Sequence, residues 1–504
     1  MDSTADGGRR PRAAGATERP ATVAELFTPA RRSLTIGLVS TITLVAFEAL
    51  AISTIMPTVE AELGQIELLG WVFSGFFLGN LIGIVVVGGL IDRASLTRLF
   101  TVALGLFAVG LLVGGLAPSM PVLVAGRVLQ GLGGGAIPPV AYVAIGRSMP
   151  DRLRPRMFAL LSTAWVVPGL MGPWIAANVA VAFNWRVVFL GLLPLLVGAG
   201  LIALAGLRTV PTADEAAAAQ GHKGASETEH AAAAATARRL PYALLLAGGG
   251  ALLDVGFTIV GPVTVAGVVV PPGVLTVASV AAGLMLLVPA FRHLTPVGTL
   301  RMVRGLPATI LLRGMLTFSF FAVDAYVPLT LQRVRGLDPQ QAGLALTAAT
   351  LTWTAGSWIQ ARTNERLGIR RLVGAGFVVV AIGLATFGLV FVPSAPLVLA
   401  VGGFALAGGG MGLGYGTLAI AVLRVAAPGA EGEATSSLQL SDVLGTAIGT
   451  GLGGALVAFG DRNGDIAMGA AIALVVALSV AVTGSAASGR VTPAARRASA
   501  PAFA

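Results

Sequence analysis

Fourteen apolar runs of roughly 20 residues follow one another along this chain, each long enough to cross the hydrocarbon core of a bilayer as a helix. They fall at 34–56, 68–90, 98–117, 120–146, 158–180, 186–207, 240–261, 271–291, 306–330, 340–361, 371–392, 396–424, 436–459 and 464–484. Charge cannot rescue a soluble reading. Only 11% of the residues are charged and 55% are hydrophobic, whereas soluble domains carry about a quarter charged residues. The expected class is an all-α polytopic membrane protein. The 68 glycines suit it, because helices in lipid associate by close packing rather than by a hydrophobic effect.

The net charge of +10 does not point to nucleic acid, because the arginines sit in short loops between apolar runs. Arg31 and Arg32, Arg93 and Arg98, Arg152 to Arg156, Arg238 and Arg239, Arg292 to Arg304, Arg362 to Arg371 and Arg490 to Arg497 all fall on one side. The positive-inside rule makes that side cytoplasmic, together with both termini. Arg186, Arg333, Arg335 and Arg462 are the exceptions. The sequence has no cysteine, which excludes disulfides, thiolate metal sites and cysteine nucleophiles. His222, His230 and His293 lie in polar loops, so no histidine is expected to carry protons within the membrane. The Arg-rich start lacks the short apolar core and cleavage site of a removed signal peptide. The polar, low-complexity stretch 212–239 is expected to be disordered or loosely helical.

An internal repeat orders the spans. "IDRASLTR" follows the second span and "NERLGIRR" follows the tenth, both acidic-then-arginine turns on the arginine-rich side. With six spans per half the second copy belongs after the eighth, so 240–261 and 271–291 read as two spans inserted between the halves. Repeated halves enclosing a binding region are typical of secondary transporters.

Ionisable residues inside spans are costly and usually face a bundle interior. Here they are Glu48, Arg127, Asp254, Arg313, Asp324 and Asp442. Glu48 and Arg127 lie about nine and seven residues inside the same membrane face, roughly 10–13 Å deep at about 1.5 Å per residue. They can pair with each other, or Arg127 can bond backbone carbonyls and polar substrate groups. The glycines of "GLGGG" (131–135) lack the Gly-Lys-Ser/Thr of a phosphate loop and lie within a span, so they read as helix-packing positions.

Several motifs, taken in order, resemble those of the major facilitator superfamily, and within it the fourteen-span drug:proton antiporter branch. "GGLIDRASLTR" (88–98) is similar to the loop motif G-x-L-A-D-R-x-G-R-K through Gly88, Leu90, Asp92 and Arg93, with Ser95, Leu96 and Thr97 departing from it. "GRVLQG" supplies Arg127, Gln130 and Gly131 of R-x-x-Q-G, and "PGLMGPWIAA" supplies Gly169, Gly172 and Pro173 of the antiporter motif. "NWRVVF" resembles W-R-x-x-F at the start of the sixth span. Glu48 to Pro57 keeps the Asp-to-Pro spacing of the branch's first-span motif, with Glu for Asp. Asp442 stands where the branch often has arginine.

The resemblance covers about residues 34 to 484. It implies two six-helix bundles, 34–207 and 306–484, the inserted pair within 240–291, a cytoplasmic linker at 208–239 and cytoplasmic ends at 1–33 and 485–504. Gly88, Asp92 and Arg93, with Glu365 and Arg366 in the second copy, would latch the bundles; the plain alternative is a surface salt bridge. Gly172 and Pro173 would bend or weaken their helix, against a tolerated packing kink.

The expected function is export of lipophilic small molecules, cationic or neutral, in exchange for protons at the plasma membrane. The chain is then no enzyme, and the proton gradient replaces any cofactor or metal. No nucleotide loop offers ATP-driven pumping, and no obligatory protein partner is implied. Glu48 and Asp324 are the candidate proton carriers, because burial favours a neutral carboxyl while a nearby arginine or bound cation favours the carboxylate. Arg127, Gln130, Trp165, Phe321, Tyr326, Trp353 and Tyr415 are the candidate cavity residues, the aromatics for apolar and cation–π contacts. Export of a lipid or self-made metabolite is the rival within transport; a membrane sensor or scaffold is the rival outside it.

Overall fold

Hydrocarbon dictates the secondary structure, since each spanning segment must satisfy its own backbone hydrogen bonds. A computed structural model of the protein describes residues 22–91, 94–150, 152–211, 225–259, 261–265, 268–426 and 431–491. Asp92 and Arg93 of the first latch copy lie outside them, as do 1–21, 212–224 and 492–504 of the expected polar segments.

The first half comprises α1 (Arg32–Leu63), α2 (Leu69–Leu90), α3 (Leu96–Gly115), α4 (Met120–Ser148), α5 (Arg154–Ala182), α6 (Trp185–Leu190) and α7 (Leu192–Leu207). The inserted pair is α8 (Ala225–Thr258) and α9 (Pro272–Leu294), joined through a hairpin that pairs Val263–Val265 with Val268–Val270. The second half comprises α10 (Leu306–Asp324), α11 (Val327–Arg335), α12 (Pro339–Leu367), α13 (Ile369–Phe387), α14 (Leu397–Val425), α15 (Glu431–Arg462) and α16 (Ile466–Ala487). Two spans are interrupted: α6 gives way to α7 at Gly191, and α10 to α11 at Ala325 and Tyr326.

Thirteen of these segments are long and apolar enough to cross a membrane. The remaining span is α12, whose 29 residues reach about 43 Å at about 1.5 Å each. Its Thr-, Gln- and Arg-rich composition explains its lower apolarity. Several sequence boundaries shift. The first span does not end near Pro57, because α1 runs through that proline to Leu63, which leaves Glu48 at the helix midpoint. Residues 225–239, expected to be disordered or loosely helical, are helical and begin α8.

Glycine ledges set the packing of each half. A Cβ on Gly131 of α4 would lie 2.0 Å from the carbonyl oxygen of Phe76 on α2, and one on Gly412 of α14 would lie 2.1 Å from that of Trp353 on α12. The "GLGGG" stretch is thus a helix contact, and its counterpart recurs in the second half. With fourteen spans between them, the start of α1 at Arg32 and the end of α16 at Ala487 fall on one face of the bundle, called here the terminal face. On it Arg152 pairs with Glu25 at 2.7 Å. The backbone N–H of Thr22, then Arg152, hold the Glu25 carboxyl below its usual range.

The halves meet through α5 with α12 and α2 with α15. Their closest approaches lie toward the opposite face. A Cβ on Gly169 would meet Thr350 Cγ2 at 2.1 Å, and one on Gly70 would meet the Gly451 carbonyl at 2.9 Å. Arg333 pairs across the halves with Glu60 at 2.5 Å. Toward the terminal face, α5 and α12 leave an apolar crevice lined by Val166, Leu170, Leu351, Thr354 and Trp358. The inserted α8 covers α2 and α15, with α9 outside it.

Three of the four arginine exceptions have a physical reason. Arg186 pairs with Glu62 at 2.5 Å and Arg333 with Glu60, so the extended end of α1 supplies their counter-charges. Arg335 caps the end of a neighbouring span, donating to the carbonyls of Val392 (2.7 Å) and Ala395 (2.6 Å).

Candidate functional site

Arg127 and Gln130 stand three residues apart on α4, which places them on one face of the helix. That face turns toward α1 and α2. Arg127 Nη1 donates to Glu48 Oε1 and to Gln130 Oε1 (2.6 Å), and its Nε donates to the Val72 carbonyl at 3.0 Å. The guanidinium lies 4.4 Å from the centre of the Phe76 ring. Both charged side chains are 2% exposed. One arginine therefore joins three helices through charge-assisted bonds, which are stronger than neutral ones.

The cluster is incompletely satisfied. Glu48 Oε2 and Gln130 Nε2 are buried without a hydrogen-bond partner among the described residues. Such atoms are expensive to leave unpaired. The Glu48 oxygen can take a proton while its partner oxygen stays bonded to Arg127.

The second half holds a pair of its own. Arg313 on α10 donates from Nη2 to Asp442 Oδ2 on α15 (3.1 Å) and from Nη1 to the Tyr415 carbonyl on α14 (2.6 Å). The Tyr415 hydroxyl donates to the same Asp442 oxygen at 2.9 Å, and the guanidinium lies over the Tyr415 ring. Thr317 Oγ1 donates to the Asp442 carbonyl at 3.1 Å. Asp442, which departs from the branch's arginine, thus has a local arginine as partner.

Aromatic rings connect the two pairs. Ring centres are 5.4 Å apart for Phe76 and Phe77, 6.5 Å for Phe77 and Phe321, 6.3 Å for Phe321 and Trp353, and 5.4 Å for Trp353 and Tyr415. The Phe77–Phe321 contact crosses from one half to the other. Phe76 and Phe77 had no sequence signal beyond an apolar run.

The remaining candidates scatter. Asp324 is the last residue of α10, one turn beyond Phe321, half-buried and without an ion pair among the described residues. Tyr326, expected in the cavity, instead plugs the seam between α2 and α15: it packs edge-on against Phe73 and donates to the Thr450 carbonyl at 2.5 Å. Its place at the break between α10 and α11 turns it that way. Trp165 is exposed on α5, away from the aromatic chain. Gly172 faces Phe47, and Gly169 and Pro173 sit at the α5–α12 crossing, where α5 runs unbroken as a helix. Gly88 ends α2. Glu365 and Arg366 are exposed in the last turn of α12 rather than in a loop, with no ion pair among the described residues. Asp254 is buried on α8, outside the aromatic chain.

Two helix bundles, each holding a buried, partly unsatisfied polar cluster, form the architecture of a secondary transporter rather than an enzyme. The family model of the Major Facilitator Superfamily matches residues 38–312 and 309–503. The chain belongs to that superfamily. A probable multidrug-efflux transporter of Mycobacterium tuberculosis is 29% identical to it across 81% of this chain and 84% of the relative. The methylenomycin A resistance protein of Streptomyces coelicolor is 26% identical across 79% of this chain and 78% of its own. Among solved structures, a D-xylose-proton symporter aligns with a TM-score of 0.62 over 92% of this chain and 98% of its own, at 14% identity. A bacterial homolog of the human lysosomal transporter Spinster gives 0.62 over 92% and 96%, at 13% identity. Those two likenesses concern the fold alone.

The Arg313–Asp442 pair supports a double-mutant test. Asp442→Leu strands a buried guanidinium and should lower thermal stability by about 3–5 kcal/mol, while the double variant Arg313→Met/Asp442→Leu should recover most of it. Thermal unfolding of the purified variants in detergent checks this; equal losses in the single and double variants would contradict it.

Proposed function

We propose that the protein exports lipophilic small molecules, cationic or neutral, in exchange for protons, by alternating access between its two helix bundles. The observation that carries this reading is the Glu48–Arg127–Gln130 cluster, a buried carboxylate with one oxygen bound to arginine and the other free. A proton-driven exporter needs a carboxyl that exchanges its proton as access alternates, and a cationic substrate competes with that proton for the same charge. Relatives named for multidrug efflux and antibiotic resistance support the export direction. The closed contacts toward the opposite face and the crevice between α5 and α12 support uptake of substrate from the terminal side. That crevice is apolar, which suits molecules partitioning from the bilayer, including the rival class of lipids.

In this reading the protein resides in the cell membrane with both termini in the cytoplasm, following the loop arginines. The proton gradient is its energy source, in place of a cofactor, and no obligatory protein partner is implied. Asp324 serves as a second carrier at the end of α10. The Gly88–Asp92–Arg93 turn that follows α2, and Glu365 and Arg366 at the end of α12, each latch onto a helix end of the opposite bundle when the terminal face closes.

Two experiments test these assignments. A reporter active only in the cytoplasm should give signal when fused after residue 298 and none when fused after residue 265; signal at 265 would overturn the orientation. Glu48→Gln should abolish efflux driven by the pH gradient while normal membrane abundance persists, and Glu48→Asp should keep substantial activity. Full gradient-driven export by Glu48→Gln would remove Glu48 from proton coupling. Reduced abundance would instead mark a structural anchor for Arg127, since an orphaned buried charge costs about 3–5 kcal/mol.

A further inference from the structure

Asp254 stands apart from every group used so far. It belongs to α8, the first inserted helix, and is 3% exposed. Its carboxyl points into the seam where α2 of the first half meets α15 of the second. A Cβ on Gly451 of α15 would lie 2.0 Å from Asp254 Oδ1, so only a glycine leaves room for the carboxyl. The same seam depends on two more glycines: a Cβ on Gly454 would fall 2.5 Å from both Gly70 Cα and the Tyr326 hydroxyl oxygen. From α2, the buried Ser74 hydroxyl lies near the carboxyl and forms no hydrogen bond among the described residues. One turn further along α8, Thr258 accepts a hydrogen bond from Trp71 Nε1 of α2 at 3.3 Å, which holds α8 against the seam.

Among the described residues no counter-charge faces this carboxyl. Asp254 forms no ion pair among the described residues. The helix α2 carries no titratable side chain, and those of α9, Arg292 and His293, lie at its terminal end. On α15 the nearest are Asp442 and Asp461, more than two turns to either side of Gly451. The titratable group facing Asp254 across the seam is the Tyr326 phenol, itself committed to the Thr450 carbonyl, with Asp324 two residues before it. A carboxylate taken out of water without a cation or full hydrogen bonding is strongly penalised, whereas the neutral acid is not. The neutral acid can also donate to a neighbouring acceptor such as the Ser74 oxygen.

We propose that Asp254 is a proton-binding site that locks the α2–α15 seam: as the neutral acid it seats against Gly451 and keeps the opposite face closed, and its ionisation drives the seam apart. A proton arriving from the opposite face would thereby shut that face behind itself. The inserted helix, rather than either bundle, would carry this lock. The proposal is independent of Glu48 and of the direction of transport.

The natural absence of cysteine makes the test direct. A single Leu69→Cys, buried at the start of α2, reports opening of the seam to a charged, membrane-impermeant maleimide. An exposed Asn463→Cys corrects for the intrinsic pH dependence of thiol labelling. With the full-length protein in lipid nanodiscs, the Leu69→Cys to Asn463→Cys labelling ratio should rise with pH between about 5 and about 8, by up to about tenfold per unit for a single linked proton. In Asp254→Asn and Asp254→Ser it should stay low and flat, and with Gly451→Ala it should be high throughout. A ratio independent of pH in the parent, or an undiminished rise in both Asp254 variants, would overturn the proposal. A rise abolished by Glu48→Gln but kept by both Asp254 variants would assign the lock to Glu48 and overturn it equally.

Discussion

The pairing of Glu48 with Arg127 organises the first half of the molecule. Either charge alone would be intolerable at this depth, because a buried ion recovers its lost hydration only through a well-placed opposite charge and further hydrogen bonds. Arg127 answers this by engaging a carboxylate on α1, an amide on its own helix and a main-chain carbonyl on α2. Three helices are thereby fixed around one guanidinium. The second half repeats the solution with different residues, placing Arg313 between Asp442 and Tyr415. The rings from Phe76 to Tyr415 join the two clusters across the boundary between the halves.

Close backbone approach is the second element of the design. Lipid provides little drive to press helices together, so contact depends on small residues. The glycines that seat α2 on α4 and α12 on α14 make each half a firm unit. Contacts between the halves are fewer: further glycine crossings, the Phe73–Tyr326 and Phe77–Phe321 ring pairs and the partly exposed Arg333–Glu60 bridge. Exposed ion pairs are worth only about 0–1 kcal/mol, so this boundary can open without dismantling either half. Firm halves joined by modest contacts are what rocking motion requires.

Much of this was legible in the residue order. Apolar runs gave the number of spans, because hydrocarbon thickness sets a minimum length, and the glycine stretches were recognisable as packing surfaces. Even α12, the least apolar of the spans, was legible as the run 340–361, followed by its acidic-then-arginine turn. Pairings were harder to read. Glu48 and Arg127 could be matched by their similar depth, but Arg313 and Asp442 could not, since a separation of 129 residues carries no geometric information. The arginines at 186 and 333 looked like violations of charge asymmetry, and only the continuation of α1 past Pro57 reveals Glu60 and Glu62 as their partners. Tyr326 reads as a cavity residue from its neighbours in sequence, but a break in the helix turns it into the seam.

The central claim is that a proton and a cationic substrate compete for the Glu48 carboxyl. Proton release on substrate binding tests it most directly. Purified protein in weakly buffered detergent solution near neutral pH would be titrated with tetraphenylphosphonium while a pH indicator is followed. The account predicts protons released in step with bound cation, and loss of that release in Glu48→Gln even where the cation still binds. Binding by the parent protein with no proton released, or equal release from Glu48→Gln, would contradict it.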